Sequence, residues 1–530
     1  MPFGSCFERT VLAATLWRAA CRSCITFEVE VPVRAWPRRD SASSELFVPV
    51  RFSFNRSSPE RPRMSPRRLF FASCVSLIAS AFSFVLRQDV LPAWGETFDL
   101  NATQLGAVAG SAFLGMAVSM AIGSFVVDLL GMKKMLGLAF FCHLVGTLLT
   151  ITAPYLAPKG APAYYLLYAA TFLVGSGNGL VEIGINPLAA TLFPTEKTHK
   201  LNVLHSWWPG GMIVAGLISV GISSVLGLDV EGHGLDRAAT MFGWQIKTAL
   251  ILIPMLVYGG LFLFESFPVT ERVAAGVSNR EMLAQAVRPM FLLWAFSMLL
   301  TASTELSPQS MQSLVLGKTA GMKGTYILIY TSTIMFVLRQ FAGPLAHKFS
   351  PVGMLLGSSV LSMIGLFSLS FAYDFTTAIA AATIYGFGIS YFWPTMLGVT
   401  AERFPRGGAF LLGVMGCVGN LAIGVVSPAM GNINDRITYA AMPVEISAKV
   451  VVNNVLENDR VKQLPKADQD VVLEAQKEGA KWSFRYVSAL PLILIAIFGA
   501  IVVSDKARGG YKPEEISSSK IAEASVASDF

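Results

Sequence analysis

The sequence predicts an all-α membrane protein with twelve transmembrane helices in two six-helix halves that repeat one another. Three observations carry that prediction. Of 530 residues, 53% are hydrophobic and only 14% charged, whereas soluble proteins carry roughly a quarter charged residues. Apolar runs of about 20 residues, long enough to span a bilayer, recur along the chain. The cations collect in alternate loops between those runs.

The runs fall at 68–88, 104–127, 132–152, 163–186, 207–226 and 243–264, then at 289–307, 325–346, 353–372, 376–399, 408–430 and 484–503. In lipid every backbone polar group must be satisfied within the segment, so each run is expected to be a helix. Lys133, Lys134, Lys197, Lys200, Arg272, Arg280, Arg288, Lys348, Arg403, Arg406, Lys506 and Arg508 all fall on one side. The short loops of the other side offer Lys159, Arg237, Lys318 and Lys323. The cation-rich side is expected in the cytoplasm, with both termini there, in a multi-pass protein of the cell (inner) membrane. The net charge is +7, but the cations sit mostly in short segments between the apolar runs, so no nucleic-acid partner is expected.

The organisation follows from the runs. Residues 1–63 are Arg-rich and lack a spanning stretch, and Met64 opens a basic segment leading into the first helix. A disordered or untranslated extension is expected there. Residues 64–264 form the first half, 265–288 a cytoplasmic linker, and 289–503 the second half. An external insertion at 432–482 has helical apolar spacing and reads as a lid, a partner surface or a plain solvated hairpin. A disordered cytoplasmic tail is expected at 504–530. Cys21 and Cys24 have the spacing of half a zinc site, but no second ligand pair follows. With no nucleotide loop or nucleophile motif either, the chain reads as a non-enzyme without metal or cofactor.

The duplication shows in two places. After the second run, Ser124, Asp128, Gly131 and Lys133 form a short loop motif. After the eighth, Gly343, His347, Lys348 and Ser350 repeat its spacing in degraded form. A tight turn between two helices is expected at the first of these loops, with Gly131 allowing close approach or a positive φ. Asp128 is expected to meet cations or a helix end where the halves join. The fourth and tenth runs both start Gly-x-Gly, carry an internal proline and end in Phe-Pro. The Asp128-x-x-Gly131-x-Lys133 loop resembles the signature loop of the major facilitator superfamily, with Ser124 and Leu129 replacing the usual Gly and Arg. The resemblance implies the major facilitator fold, whose halves are parallel repeats that rock about a midplane site.

Ionisable residues inside a membrane are functional candidates by default. Asn178, Glu182 and Asn186 are spaced i, i+4, i+8 and share one face of the fourth helix. A carboxyl there can take up and release a proton, or it can be neutralised in a fixed hydrogen bond. Gly175, Gly177, Gly179 and Gly184 thin the same helix. His205, Trp207 and Trp208 open the fifth helix. They suit a ring-shaped polar solute, or else an interfacial aromatic belt. In the seventh helix Glu305 and Gln309 share a face, and Pro308 breaks it. Arg339 in the eighth needs a partner, for which Glu305 is the candidate. Tyr391, Trp393 and Asn420 are further candidates for the solute path.

The stretch from Gly177 to Gly211 is similar to the helix 4–5 region of the fucose/galactose/glucose–proton symporter family. The resemblance implies that Glu182 matches that family's buried, proton-coupled Glu. His205 and Trp208 stand where a fucose-transporting member has Gln and Asn, and Gln88 stands where it has an Asp in helix 1.

The expected function is therefore secondary active transport of a small polar solute such as a sugar, imported with a proton (or sodium) by alternating access. Glu182 is the expected proton site. Asn178, Asn186, His205, Trp208, Glu305, Gln309, Arg339, Trp393 and Asn420 are the expected solute contacts. Asp128, Gly131, Lys133, His347 and Lys348 form the expected gating loops. The protein is expected to act as a monomer in the lipid bilayer. A proton-coupled efflux antiporter of a metabolite or drug, and a non-transporting sensor or scaffold, are the alternatives.

Overall fold

The structure is a computed structural model that describes residues 65–516 apart from 101, 158, 227–236, 321–323, 373 and 453–454. The expectations for 1–63, a start at Met64, Cys6, Cys21, Cys24 and tail residues 517–530 lie outside the described residues.

Helix 1 (Pro66–Phe98) begins where Ser65 accepts the Arg68 amide and Pro66 supplies a first turn that needs no N–H. Helices 2 to 5 follow at Ala102–Leu130, Met132–Leu156, Gly160–Leu192 and Lys197–Val225. Helix 6 is built of Arg237–Ala249 and Leu252–Leu263. Two short linker helices, Glu271–Ala274 and Asn279–Ala286, lead to helix 7 (Pro289–Ala320). Helix 8 is broken into Gly324–Gln340 and Ala342–Phe349. Helix 9 is Pro351–Leu369, and helix 10 is broken into Phe375–Ile389 and Phe392–Arg403. Helix 11 is Gly408–Ala441, and helix 12 comprises Lys466–Val487 and Ala489–Ala507. Eleven helices among the described residues are long and apolar enough to cross a membrane. The apolar stretch Ile327–Gln340 is shorter and is continued by Ala342–Phe349, which is consistent with a twelfth crossing. Large apolar side chains such as Ile122, Phe141, Leu217 and Leu256 are exposed on the bundle's outside, as lipid-facing residues would be.

Three boundaries differ from those the apolar runs indicate. Helix 5 starts at Lys197, so His205 sits two turns inside it rather than at its start. Helix 11 runs on to Ala441 and helix 12 starts at Lys466. Between them lie a short helix, Val444–Val450, an antiparallel strand pair with Val451 opposite Leu456, and the helix Asn458–Lys462. Met442, Ile446, Val450, Val472 and Ala475 form a small core beneath this crown. Polarity ends an apolar run but does not end a helix, because side-chain pairs such as Glu474–Lys477 are compatible with it.

Glycine sets the closeness of helices 2 and 4. A Cβ on Gly175 would lie 2.0 Å from the Ala112 carbonyl oxygen, and one on Gly115 would lie 2.1 Å from that of Phe172. The backbones touch, which is how membrane helices associate without a hydrophobic force between them.

The repeated loops keep their geometry where their sequences have drifted. Gly131 has φ 85° and ψ 148°, and Ser350 has φ 64° and ψ 157°. Glycine adopts this region freely, whereas a serine there is strained by about 1–3 kcal/mol. Ser350 holds it while its hydroxyl accepts the Gly353 amide at 3.2 Å. Asp128 receives Arg272 Nη2 at 2.6 Å and the Thr270 hydroxyl at 2.7 Å, both from the linker. Lys133 donates to the carbonyls of Leu263 and Glu265, each at 2.9 Å, closing the end of helix 6. His347 and Lys348 of the second copy are exposed.

The halves are sewn together at the cation-rich end. Glu402 of helix 10 accepts the Thr198 amide of helix 5 at 3.0 Å, and Asn202 donates to the Thr395 hydroxyl at 3.1 Å. A Cβ on Gly398 would lie 2.7 Å from the Thr198 Cα, so only glycine permits this approach. The tail then closes over the same place. The Tyr511 hydroxyl donates to Glu402 at 2.5 Å, Glu514 pairs with Arg288 at 3.1 Å, and Arg403 meets Asp505 and lies over the Tyr511 ring. Burial and the nearby Glu402 carboxylate push the Tyr511 pKa well above its usual range, so the hydroxyl stays a donor.

Gly175→Ala should destabilise the protein by about 1–3 kcal/mol by forcing helices 2 and 4 apart. Gly110→Ala, which meets nothing within 4 Å, is its control. Thermal unfolding in detergent compares them, and equal midpoints would contradict the backbone contact.

Candidate functional site

Proline organises the interior. A helical carbonyl normally accepts from the N–H four residues on, and proline has none. Pro209, Pro308 and Pro394 therefore leave the carbonyls of His205, Thr304 and Ser390 without helical partners. Each finds a side-chain donor. Arg339 Nη1 donates to the His205 carbonyl at 2.9 Å, and its Nε to that of Ser390 at 2.6 Å. The Tyr385 hydroxyl reaches the carbonyls of Thr304 at 2.9 Å and Glu305 at 2.8 Å.

Arg339 is thus the centre of the site. It lies in helix 8 and reaches helix 10 of its own half and helix 5 of the other. Its remaining nitrogen, Nη2, meets Glu305 Oε1 at 3.0 Å, forming the ion pair for which Glu305 was the candidate. Arg339 is 2% exposed and Glu305 3% exposed, so neither charge has water to fall back on. The other carboxylate oxygen accepts the Trp393 amide at 3.3 Å, which the break in helix 10 leaves free. Beside it Gln340 donates to the Ser206 hydroxyl at 2.6 Å, and the Trp207 and Phe336 rings meet edge to face, both across the halves.

Glu182 joins this centre through helix 5. Asn186 donates to Glu182 Oε2 at 2.6 Å and accepts from His205 Nε2 at 2.9 Å. That fixes His205 with its proton on Nε2. Glu182 and His205 are themselves 3.7 Å apart, too long for a hydrogen bond. The path runs Glu182, Asn186, His205, Pro209-freed carbonyl, Arg339, Glu305, with each link a hydrogen bond or a peptide.

The other sequence candidates divide. Asn178 belongs to a second chain of hydrogen bonds across helices 6, 3, 4 and 1. In it Tyr258 meets His143 Nδ1 at 3.0 Å, His143 Nε2 meets Asn178 Oδ1 at 2.9 Å, and Asn178 donates to the Ser83 hydroxyl at 3.1 Å. Trp208 is half-buried against Phe84, with ring centroids 5.8 Å apart. Gln309 donates to the Met335 sulfur at 3.3 Å, and Asn420 to its own helix at Gly416, 2.9 Å away. Tyr391 donates to the Leu338 carbonyl at 2.8 Å, where helix 8 is about to break. None of these three reaches the Arg339 centre by a hydrogen bond.

Sequence reading passed over His143, Tyr385 and Lys247. His143 and Lys247 are ionisable residues within apolar runs, the signal that singled out Glu182. Lys247 meets Asp89 at 2.5 Å and the Ser223 hydroxyl at 2.6 Å. Gln88, aligned with the symporter family's helix-1 Asp, is exposed, whereas Asp89 beside it is engaged. Among the described residues no group of three or more His, Cys, Asp and Glu side chains is placed to hold a metal.

Comparison with known proteins places these features in a family. The sequence pattern of the Major Facilitator Superfamily matches residues 69–428. A D-xylose transporter of Levilactobacillus brevis is 24% identical over 198 residues, covering 37% of this chain and 37% of that protein. The chain thus spans little more than a third of the length of the curated relatives it matches. Among solved structures, the fucose:proton symporter FucP of E. coli, in its outward conformation, matches with TM-score 0.59 and 17% identity. That match covers 80% of this chain and 98% of FucP. The xylose transporter XylE of E. coli matches with TM-score 0.58 and 13% identity over 82% of this chain and 98% of its own. At these identities the likeness is one of fold.

Glu305→Gln should cost about 3–5 kcal/mol of stability, because it leaves Arg339 buried without its counter-charge. Adding Arg339→Gln should recover part of that loss. A double-mutant cycle on unfolding midpoints measures the coupling, and strict additivity would show that the two charges do not depend on each other.

Proposed function

Because the chain belongs to the Major Facilitator Superfamily, we propose that it is a secondary active transporter importing a small polar solute, foremost a sugar, together with a proton. Alternating access of the two halves moves the solute across. The cation-rich face lies in the cytoplasm, with the helix termini on that side. The names of its relatives and structural neighbours, which describe xylose and fucose transporters, support the solute class.

One observation carries the coupling. Glu182 reaches the seam between the halves through Asn186, His205 and the carbonyl held by Arg339. A proton on Oε2 of Glu182 removes the acceptor that Asn186 uses. The amide must then turn or release, and His205 loses its partner. Helix 5 is loosened at that point by Pro209, so the change arrives where the other half grips it. Proton and solute are coupled because both favour the same arrangement of this seam. Glu305, Arg339, Trp393 and Trp208 face the solute in this reading. Asn178, Gln309 and Asn420 shape the path, and the Asp128 and His347 loops guide the rocking.

In proteoliposomes, Glu182→Gln should lose uptake driven by a pH gradient while retaining exchange of labelled for unlabelled solute. Undiminished proton-driven uptake would eliminate Glu182 as the proton site. Proton flux opposite in direction to solute would replace import by efflux antiport.

A further inference from the structure

We propose that the solute is an acid, a sugar bearing one carboxylate, and that Arg87 is the residue that recognises its charge. The proposal rests on the reading of the chain as a sugar transporter and narrows it.

Five lysine and arginine side chains are buried among the described residues: Arg87, Lys197, Lys247, Arg272 and Arg339. Four have carboxylate partners. Lys197 meets Glu271 at 2.6 Å, Lys247 meets Asp89 at 2.5 Å, Arg272 meets Asp128 at 2.6 Å and Arg339 meets Glu305 at 3.0 Å. Arg87 has none, although it is only 6% exposed. Its Nε is wholly buried without a hydrogen bond. The carboxylate nearest in sequence, Asp89, is taken by Lys247 and Ser219. The neighbours of the guanidinium are instead two aromatic faces, Phe84 at 5.8 Å and Phe113 at 6.0 Å from ring centroid to its carbon.

Its position is that of a ligand contact. Arg87 lies one helical turn from Ser83 on the same face of helix 1. Ser83 holds Asn178, which lies one turn from Glu182. Phe84 packs on Trp208 of helix 5, so the rings beside Arg87 continue into the site. An unpaired buried cation is costly by itself, and an arriving anion offsets that cost through charge-assisted hydrogen bonds in low dielectric. A single guanidinium suits a single carboxylate. The phenyl and indole faces suit the C–H edge of a sugar ring.

Matched pairs test this: D-galacturonate against D-galactose and D-glucuronate against D-glucose, which differ only in the carboxylate. Binding to the purified full-length protein is measured by calorimetry. The acids should bind at least about tenfold more tightly than their neutral partners, the effect expected of a hydrogen bond to a charged group. Arg87→Gln should level each pair, and Arg87→Lys should keep part of the difference. Without ligand, Arg87→Gln should unfold at no lower a temperature than the native protein, since it removes an unpaired buried charge. A lower midpoint would make Arg87 a structural residue and overturn the proposal. So would unchanged discrimination in Arg87→Gln. Proton-driven uptake of neutral sugars without binding of the acids overturns the proposal and leaves the transport reading standing. Binding of no sugar in either class overturns both.

Discussion

A backbone carbonyl inside a membrane must find a donor within the protein, and at the site proline denies one to those of His205, Thr304 and Ser390. The site is organised around that requirement. Arg339 and Tyr385 answer it for His205, Ser390 and Thr304. A guanidinium can lie so deep only with a carboxylate beside it, which fixes Glu305. Glu305 in turn takes the amide that the broken helix 10 exposes at Trp393. Of the carbonyls held by this cluster, those of Ser390, Thr304 and Glu305 lie in the second half and that of His205 in the first, so satisfying the backbone also joins the halves.

The joined face is the cation-rich one. There the linker, the helix 5 start and the helix 10 end meet through Asp128–Arg272, Lys197–Glu271 and Glu402–Thr198. The two ion pairs tie the first half to the linker, and Glu402–Thr198 joins the halves directly. The strained Ser350 and the relaxed Gly131 show that both halves need the same turn at their loops, whichever residue makes it.

Much of this was legible in the sequence, for physical reasons. Apolar runs report which segments meet lipid, and eleven of the twelve lie in helices long and apolar enough to cross a membrane. Helical spacing put Glu182 and Asn186 on one face, and the cost of a lone buried charge pointed from Arg339 to Glu305. The φ of Gly131 followed from its place in a tight loop. Less legible were contacts that depend on how helices meet. Pro209, Pro308 and Pro394 are visible as helix breakers, but the donors that fill the gaps lie up to 134 residues away. His143 and Asn178 are likewise joined only by the packing of helices 3 and 4. The helical spacing within 432–482 was legible, but its continuity with helices 11 and 12 was not, because hydropathy marks where an apolar run ends and not where a helix ends. The tail read as disorder, yet Tyr511 and Glu514 are held by residues far upstream.

That tail has a consequence of its own. Glu402 holds Thr198 of the opposite half with one oxygen and Tyr511 with the other. Two events at one carboxylate are thermodynamically linked, and the linkage is reciprocal. Whatever draws Tyr511 away loosens the seam, and whatever opens the seam frees the tail by the same free energy. A fluorescent reporter attached to the tail beyond residue 516 would therefore register any loosening of this seam.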